Sequence, residues 1–337
     1  MREMNADAVW AALTPDRCRE AMRAVFAAHA RGETRAPQRV ILATPGGDGT
    51  LLIMPASIEQ PRAVGTKLIC VMPGNAARGL PVNVGTVVMM DPDTGVALAS
   101  LDGAMVTALR TAAVSALATD LLARGDAGSL LIVGGGVQAR SHIEALLHVR
   151  PFTRVRVWSR RADQAAARCA EVRSAGVLPT TGGAGRSAGL RLPPTVDGGA
   201  LDVAVATDLE AAVREADVIC TVTASPVPLI LGAHVAPGTH VNAAGAHTAA
   251  TREVDTALVV RARCIVDDRA AALRESGTVL LPIGEGAITE AHVRAALGEV
   301  VIGRVPGRAS GADVTLFVSL GLAIEDVAAG AVVLAEG

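Results

Sequence analysis

Apolar residues follow two rhythms along this chain. From Gln38 to Ala99 they come in short bursts between turn residues, and Arg39–Ala43, Thr50–Met54, Ala63–Val71 and Gly85–Asp91 read as strands. Gly46-Gly47-Asp48-Gly49 and Asp91-Pro92-Asp93-Thr94-Gly95 are the turn signals between them. Residues 8–31 carry an amphipathic helical pattern that breaks at Thr14-Pro15, where Thr14 can cap and Pro15 suits a first helical position. The first section is therefore mainly antiparallel sheet with a leading helix.

After Asp102-Gly103 the rhythm lengthens. Met105–Leu122 is a long alanine-rich helix that delivers the chain to a buried strand, Leu130–Val133. Strand and helix patterns then alternate through Arg154–Trp158, Ala162–Ser174, Leu201–Ala206, Asp208–Glu215, Val218–Thr221, His240–Asn242 and Cys264–Asp267, which closes the set. That period implies a doubly wound parallel sheet. Residues 180–200, rich in Gly and Pro, break the rhythm and are expected to be a flexible surface insertion. From Ala309 the run ADVTLFVSLGLAIEDVAAGAVV reads as one last helix. It has no obvious partner in the parallel sheet, so it should return to the N-terminal section.

The 337 residues suffice for two domains with separate cores. Half of them are hydrophobic, and with no Tyr and 3 Phe the cores are built from Ala, Val, Leu and Ile. A net charge of −2 leaves no electrostatic footprint for nucleic acid or an anionic membrane. No apolar run reaches the roughly 18 residues expected of a spanning helix. The 5 cysteines are scattered, without a CxxC or His/Cys cluster, so neither a metal site nor a disulfide framework is expected, and the protein reads as cytoplasmic.

Chemistry concentrates first at the end of Leu130–Val133. Gly134-x-Gly136-x-x-Ala139 opens the next helix in the spacing of a dinucleotide-binding turn. Gly134 allows the turn, Gly136 clears space for a pyrophosphate, and Ala139 lets helix and strand approach. The helix start at Val137 and Gln138 offers N–H groups and a positive dipole end to phosphate. The following strand ends in Trp158-Ser159-Arg160-Arg161, without the carboxylate that would accept from a ribose 2′-hydroxyl. A hydroxyl and guanidinium pair suit a 2′-phosphate, although Arg161 also reads as an ordinary solvated residue. NADPH is the expected cofactor, with NADH or NAD the alternative.

In the first section, three basic residues sit in apolar settings: Arg39 before VILA, Lys67 in AVGTKLICV and Arg110 in VTALRTAAVSALA. Each alone reads as a snorkelling side chain. Together they suggest a pocket for a carboxylate, since Arg grips it bidentately and Lys adds a point charge and a movable proton.

The segments KLICVMPGNAARGLPVNVG, DPDTGVALASLDGAMVTALRTAAVSALA, LLIVGGGVQARSH, VNAAGAHTAATREVD and FVSLGLAIEDVAAG resemble the ornithine cyclodeaminase/mu-crystallin family over nearly the whole chain. The resemblance implies an α/β protein: a Rossmann doubly wound parallel sheet over 113–310, plus a discontinuous α+β substrate-binding and dimerisation domain from 1–112 and 311–337. It implies a homodimer and a substrate carboxylate held by Arg39, Lys67 and Arg110. Thr221 and Ser319 join the expected cofactor contacts, and Trp158-Ser159-Arg160 matches NADPH-using members. Two positions depart from the family pattern. His247 stands where the cyclodeaminases carry an Asp, and it reads equally as a proton-exchanging group or a solvent-facing loop residue. Val318 replaces a Lys common in the FKS segment. The expected activity is reduction of ketimine amino acids such as pyrroline- or piperideine-2-carboxylate, with Lys67 or His247 managing the proton. Ornithine cyclodeaminase, an alanine-type dehydrogenase and a non-catalytic, crystallin-like NADPH-binding protein are the alternatives.

Overall fold

Strand pairing sorts the chain into two sheets, in a computed structural model that describes residues 1–175, 190–193 and 201–336. The chain divides into two units, Met1–Arg110 with Gly321–Gly337, and Thr111–Leu320.

In the first unit, β1 (Arg2–Met4), β2 (Thr34–Arg35), β3 (Val40–Ala43), β4 (Thr50–Ile58), β5 (Ala63–Val71), β6 (Asn83–Met90) and β7 (Ala97–Asp102) form a sheet of order β1-β7-β6-β5-β4-β2, with β3 also pairing β4. All pairs are antiparallel except β1 with β7. The expected leading helix is two, α1 (Ala6–Ala12) and α2 (Pro15–Ala30), split where expected: Thr14 accepts from Arg17 N–H and Pro15 opens α2. The short β1, β2 and β7 escaped the sequence pattern.

A C-terminal helix, Ala323–Glu336, lies against β4, β5 and β6 and against α2, while α1 lies against β7. On this face the burial alternation of β5 is regular, and Lys67 falls on it with Ala63, Gly65 and Ile69. By register, Val40, Leu42, Ile53, Leu68, Val84 and Val88 share the opposite face and stay half-buried or exposed.

Next, α3 (Gly103–Leu122) runs through the unit boundary at Arg110/Thr111. Contrary to the sequence expectation, it is long and apolar enough by composition to cross a membrane. Its most apolar stretch is 78% buried within the protein, as in a core helix.

The second unit holds β8 (Ser129–Val133), β9 (Arg154–Trp158), β10 (Asp202–Val205), β11 (Val218–Thr221), β12 (His240–Ala243), β13 (Arg263–Val266), β14 (Val293–Ala296) and β15 (Thr315–Val318). They pair in parallel in the order β10-β9-β8-β11-β12-β15-β13-β14, with helices α4 (Val137–Leu147), α5 (Ala162–Ala175), α6 (Leu209–Glu215), α7 (Thr256–Arg261), α8 (Arg269–Glu275), α9 (Gly277–Gly284) and α10 (Leu297–Val301) between them. This is the doubly wound sheet, and its order reverses between β8 and β11.

Two expectations fail here. The sheet does not close at Cys264–Asp267, because β14 and β15 follow. Nor is the chain from Ala309 one helix, because Thr315–Val318 is a strand inserted between β12 and β13. All four of its residues are buried, so the run TLFV shows no period, and a short apolar run reads as helix or strand alike. Gly321, at φ +77°, ends the strand's exit before the last helix begins. The expected insertion at 180–200 lies outside the described residues except for 190–193. There Leu190 and Leu192 rest on the core, and Arg191 pairs with Glu144.

Candidate active site

Burial of Lys67 is the organising feature of the first unit. Its side chain stands on β5 between the cross-strand neighbours Met54 and Val87 and is 2% exposed. An ammonium there needs a counter-charge, and the C-terminal helix supplies one. Lys67 Nζ lies 2.7 Å from Asp326 Oδ2, a buried ion pair. Burial pushes the amine down to about 8, with Asp326 pulling up and Arg110 pushing down.

Arg110, near the middle of α3, is equally enclosed. Its Nε donates to Asp326 Oδ1 at 3.0 Å and its Nη1 to Glu325 Oε2 at 2.6 Å. Burial opposes its charge, but Asp326 and Glu325 outweigh that and hold the guanidinium above its ordinary value. Glu325 Oε1 also accepts from Leu322 N–H at 2.9 Å, and burial pushes its carboxyl up. Arg39 is half-buried just before β3, and its Nη2 donates to Gly321 O at 3.0 Å. Gly321 has no room for a side chain, since a Cβ would come within 2.7 Å of Arg110 Nη1.

The three expected cations thus lie in one unit, two of them in a single four-charge cluster. Sequence reasoning missed its acidic half, Glu325 and Asp326. The signal was available in AIEDVAAGAVV, two acids in an apolar run, by the same logic that singled out Lys67. Neither acid binds the Nη2 of Arg110, so that edge and the remaining Nζ protons of Lys67 are what an incoming carboxylate can use.

In the second unit the glycine turn lies at the order reversal. Gly134 has φ +140°, and a Cβ there would come within 2.8 Å of Val222, just past β11. Gly136 is the N-cap of α4 and makes no side-chain cap, so the first N–H groups of the helix have no side-chain acceptor. A Cβ on Gly136 would meet nothing within 4 Å, and Val137 is 69% exposed beside it. Ala139 is fully buried against the sheet, while Gln138 Oε1 is buried without a partner among the described residues. These are the features of an anion cradle rather than of a filled structural turn.

Beyond β9, Ser159 Oγ accepts from Arg161 N–H at 3.3 Å, and Arg160 is exposed with no hydrogen bond or ion pair among the described residues. Ser319 follows β15 and is 3% exposed, with its Oγ unpartnered among the described residues. Its backbone is pinned by Ser319 N–H to Ala243 O at 3.0 Å, and that of Leu320 by N–H to Asp267 Oδ2 at 2.5 Å. Val318, where a Lys was the family expectation, is fully buried in the sheet. Thr221, at the end of β11, donates its Oγ1 hydrogen to the buried Glu253 at 2.8 Å. His247 is exposed in the loop after β12, its Nδ1 3.2 Å from Gly245 O. The donor set at the turn, the vacant hydroxyl at Ser319 and the uncommitted Arg160 fit a phosphate-bearing dinucleotide.

Residues 4–178 and 192–336 match the pattern of the ornithine cyclodeaminase/mu-crystallin family. Ketimine reductase mu-crystallin of Mus musculus is 37% identical over 314 residues, 93% of this chain and 89% of that protein. Delta(1)-pyrroline-2-carboxylate reductase of Paracoccus denitrificans (strain Pd 1222) is 39% identical over 270 residues, 80% of this chain and 78% of that protein. The solved structure of Thermococcus litoralis Delta(1)-pyrroline-2-carboxylate reductase, in complex with NADH and L-proline, has a TM-score of 0.88 at 28% identity and covers 100% of this chain and 97% of its own.

Proposed function

The chain belongs to the ornithine cyclodeaminase/mu-crystallin family, and we propose that within it this protein is an NADPH-dependent reductase of ketimine amino acids, cyclic imines of the pyrroline- and piperideine-2-carboxylate type being its substrates. The observation that carries the reading is the buried Lys67, paired with Asp326 at 2.7 Å and able to change charge near neutral pH. Relatives named for imine reduction support it.

Gly136, the uncapped start of α4, Ser159, Arg160 and Ser319 would hold the dinucleotide, with Arg160 meeting a 2′-phosphate. When bound, the reduced nicotinamide supplies the hydride for the imine carbon. Arg39 and Arg110 fix the carboxylate beside that carbon, which sets the face and distance of attack. Lys67 or His247, directly or through water, keeps the imine nitrogen protonated and so makes its carbon electrophilic.

The apolar face of the first sheet, with Val40, Leu42 and Val84 each 48% exposed, supports a homodimer formed by two such faces. The scattered cysteines support a reducing, cytoplasmic setting.

The deciding assay follows NADPH absorbance with pyrroline- and piperideine-2-carboxylate, beside ammonia release from ornithine. Cyclic-imine turnover supports the reading. Ammonia without net cofactor oxidation would replace it with a cyclodeaminase.

A further inference from the structure

Of the 31 Lys and Arg residues in this chain, Lys67 is the single lysine. Arginine does not give up its proton in proteins, whereas a buried lysine does. A chain that writes its other basic positions as Arg keeps Lys at a buried place where the charge faces Asp326.

Three charged groups act on Lys67. From the C-terminal helix it faces Asp326 and, farther off, Glu325; from α3 it faces Arg110. The strands on either side contribute Met54 and Val87, which do not titrate. With Lys67 and Arg110 charged against Glu325 and Asp326, the cluster sums to zero. Both acids are fully buried, and each takes hold of Arg110 on its Nε–Nη1 edge. A carboxylate arriving at the remaining edge makes the sum negative, and that favours the ammonium form of Lys67.

We propose that Asp326 and Glu325 are positioning residues that couple arrival of the substrate carboxylate to protonation of Lys67. Resting on the imine-reductase reading, the cycle balances as follows. Carboxylate binding holds Lys67 in its ammonium form, and Lys67 gives a proton to the imine nitrogen as hydride from the reduced nicotinamide reaches the carbon. The C=N bond becomes an amine, Lys67 is left neutral, and after product release a proton from solvent restores its ammonium and the neutral sum of the cluster.

A lone lysine makes the test direct. In the full-length protein labelled with ¹³Cε-lysine, one resonance reports Lys67. It should titrate near 8, well below the ordinary 10.5. Pyrrole-2-carboxylate, a flat anion that cannot be reduced this way, should move the midpoint upward. Asp326→Asn should lower the midpoint by about one unit or more and carry the alkaline fall of kcat/KM to lower pH with it. Asp326→Glu should restore both in part.

A wild-type midpoint near 10.5, no response to the anion, or an unmoved midpoint in folded Asp326→Asn overturns the coupling. If Asp326→Asn does not fold, the wild-type titration with and without the anion decides alone. The resonance reads protonation rather than turnover. An inert enzyme with the expected titration would therefore remove the reductase reading and leave the coupling standing.

Discussion

Glu253 Oε1 accepts from both the backbone N–H and the hydroxyl of Thr223, each at 2.7 Å. Its other oxygen accepts from Thr221 Oγ1 at 2.8 Å and Gly245 N–H at 2.7 Å. One buried carboxylate thereby ties the exits of β11 and β12, the second of which leads into the loop of His247. Burial pushes this carboxyl up, and the hydrogen bonds pull against it. Glu253→Gln replaces an acceptor of four bonds with a group that must aim an NH₂ at donors. The expected cost is about 2 kcal/mol, read as a lower melting temperature, with weaker dinucleotide binding alongside.

At the glycine turn, two substitutions should separate fold from ligand. Gly134→Ala sets a Cβ against Val222 at φ +140° and should destabilise by about 1–3 kcal/mol. Gly136→Val enters open space, so melting should change little while affinity for dinucleotide falls at least about tenfold. Equal thermal losses in both variants would contradict the cradle.

Cofactor choice should turn on Arg160. A guanidinium with no other partner among the described residues contributes a charge-assisted bond to a 2′-phosphate and nothing to a 2′-hydroxyl. Arg160→Ala should weaken NADPH binding about tenfold or more while sparing NADH, as measured by fluorescence titration. Equal losses for the two nucleotides would show that Arg160 does not read the phosphate.

Acid should weaken the second unit through two sealed histidines. Burial pushes His142 down to about 4 and His240 to about 3, from an ordinary 6.5. His142 Nδ1–H donates to Gln138 O, so Nε2 must accept from the Ser115 hydroxyl. A depressed folded-state value means the stability is whole above 6.5 and is lost as pH falls toward 4 and 3. Each site should remove about 1.4 kcal/mol per pH unit in that window. Glu253 and Glu325, pushed up by burial, work in the opposite sense at acid pH and soften the net slope. Denaturant midpoints from pH 7 to 4 should therefore fall less steeply in His142→Gln than in the natural chain.

The apolar sheet face yields a test of assembly. Val84→Asp together with Leu42→Asp should weaken a dimer at least about tenfold in sedimentation, with the circular dichroism unchanged. A natural chain that sediments as a monomer would refute the dimer outright.

Much of this molecule could be read from residues alone, for identifiable reasons. The turn at Gly134–Ala139 is legible because strand, glycine spacing and helix sit within one short stretch. Lys67 and Arg110 are legible because a charge in an apolar run stands out locally. Glu325 and Asp326 stand out by the same rule, but their pairing does not, because Arg110 and Glu325 are 215 positions apart and only the folded chain brings them together. Thr315–Val318 was misread for a different reason: buried on both faces, it has no alternation to betray a strand.

The last stretch of the chain completes both units. Residues 315–318 supply an inner strand of one sheet, and residues 323–336 cover the other and bring in the acids for Lys67 and Arg110. Domains ordinarily fold in order of their synthesis, the first-made one settling while the next is still emerging. Here the first-made sheet must wait, its lysine and arginine without counter-ions, until the ribosome has delivered the final turns. A nascent or prematurely ended chain lacking only this tail would leave both sheets unfinished, making it a natural client for chaperones and proteases rather than a half-folded protein.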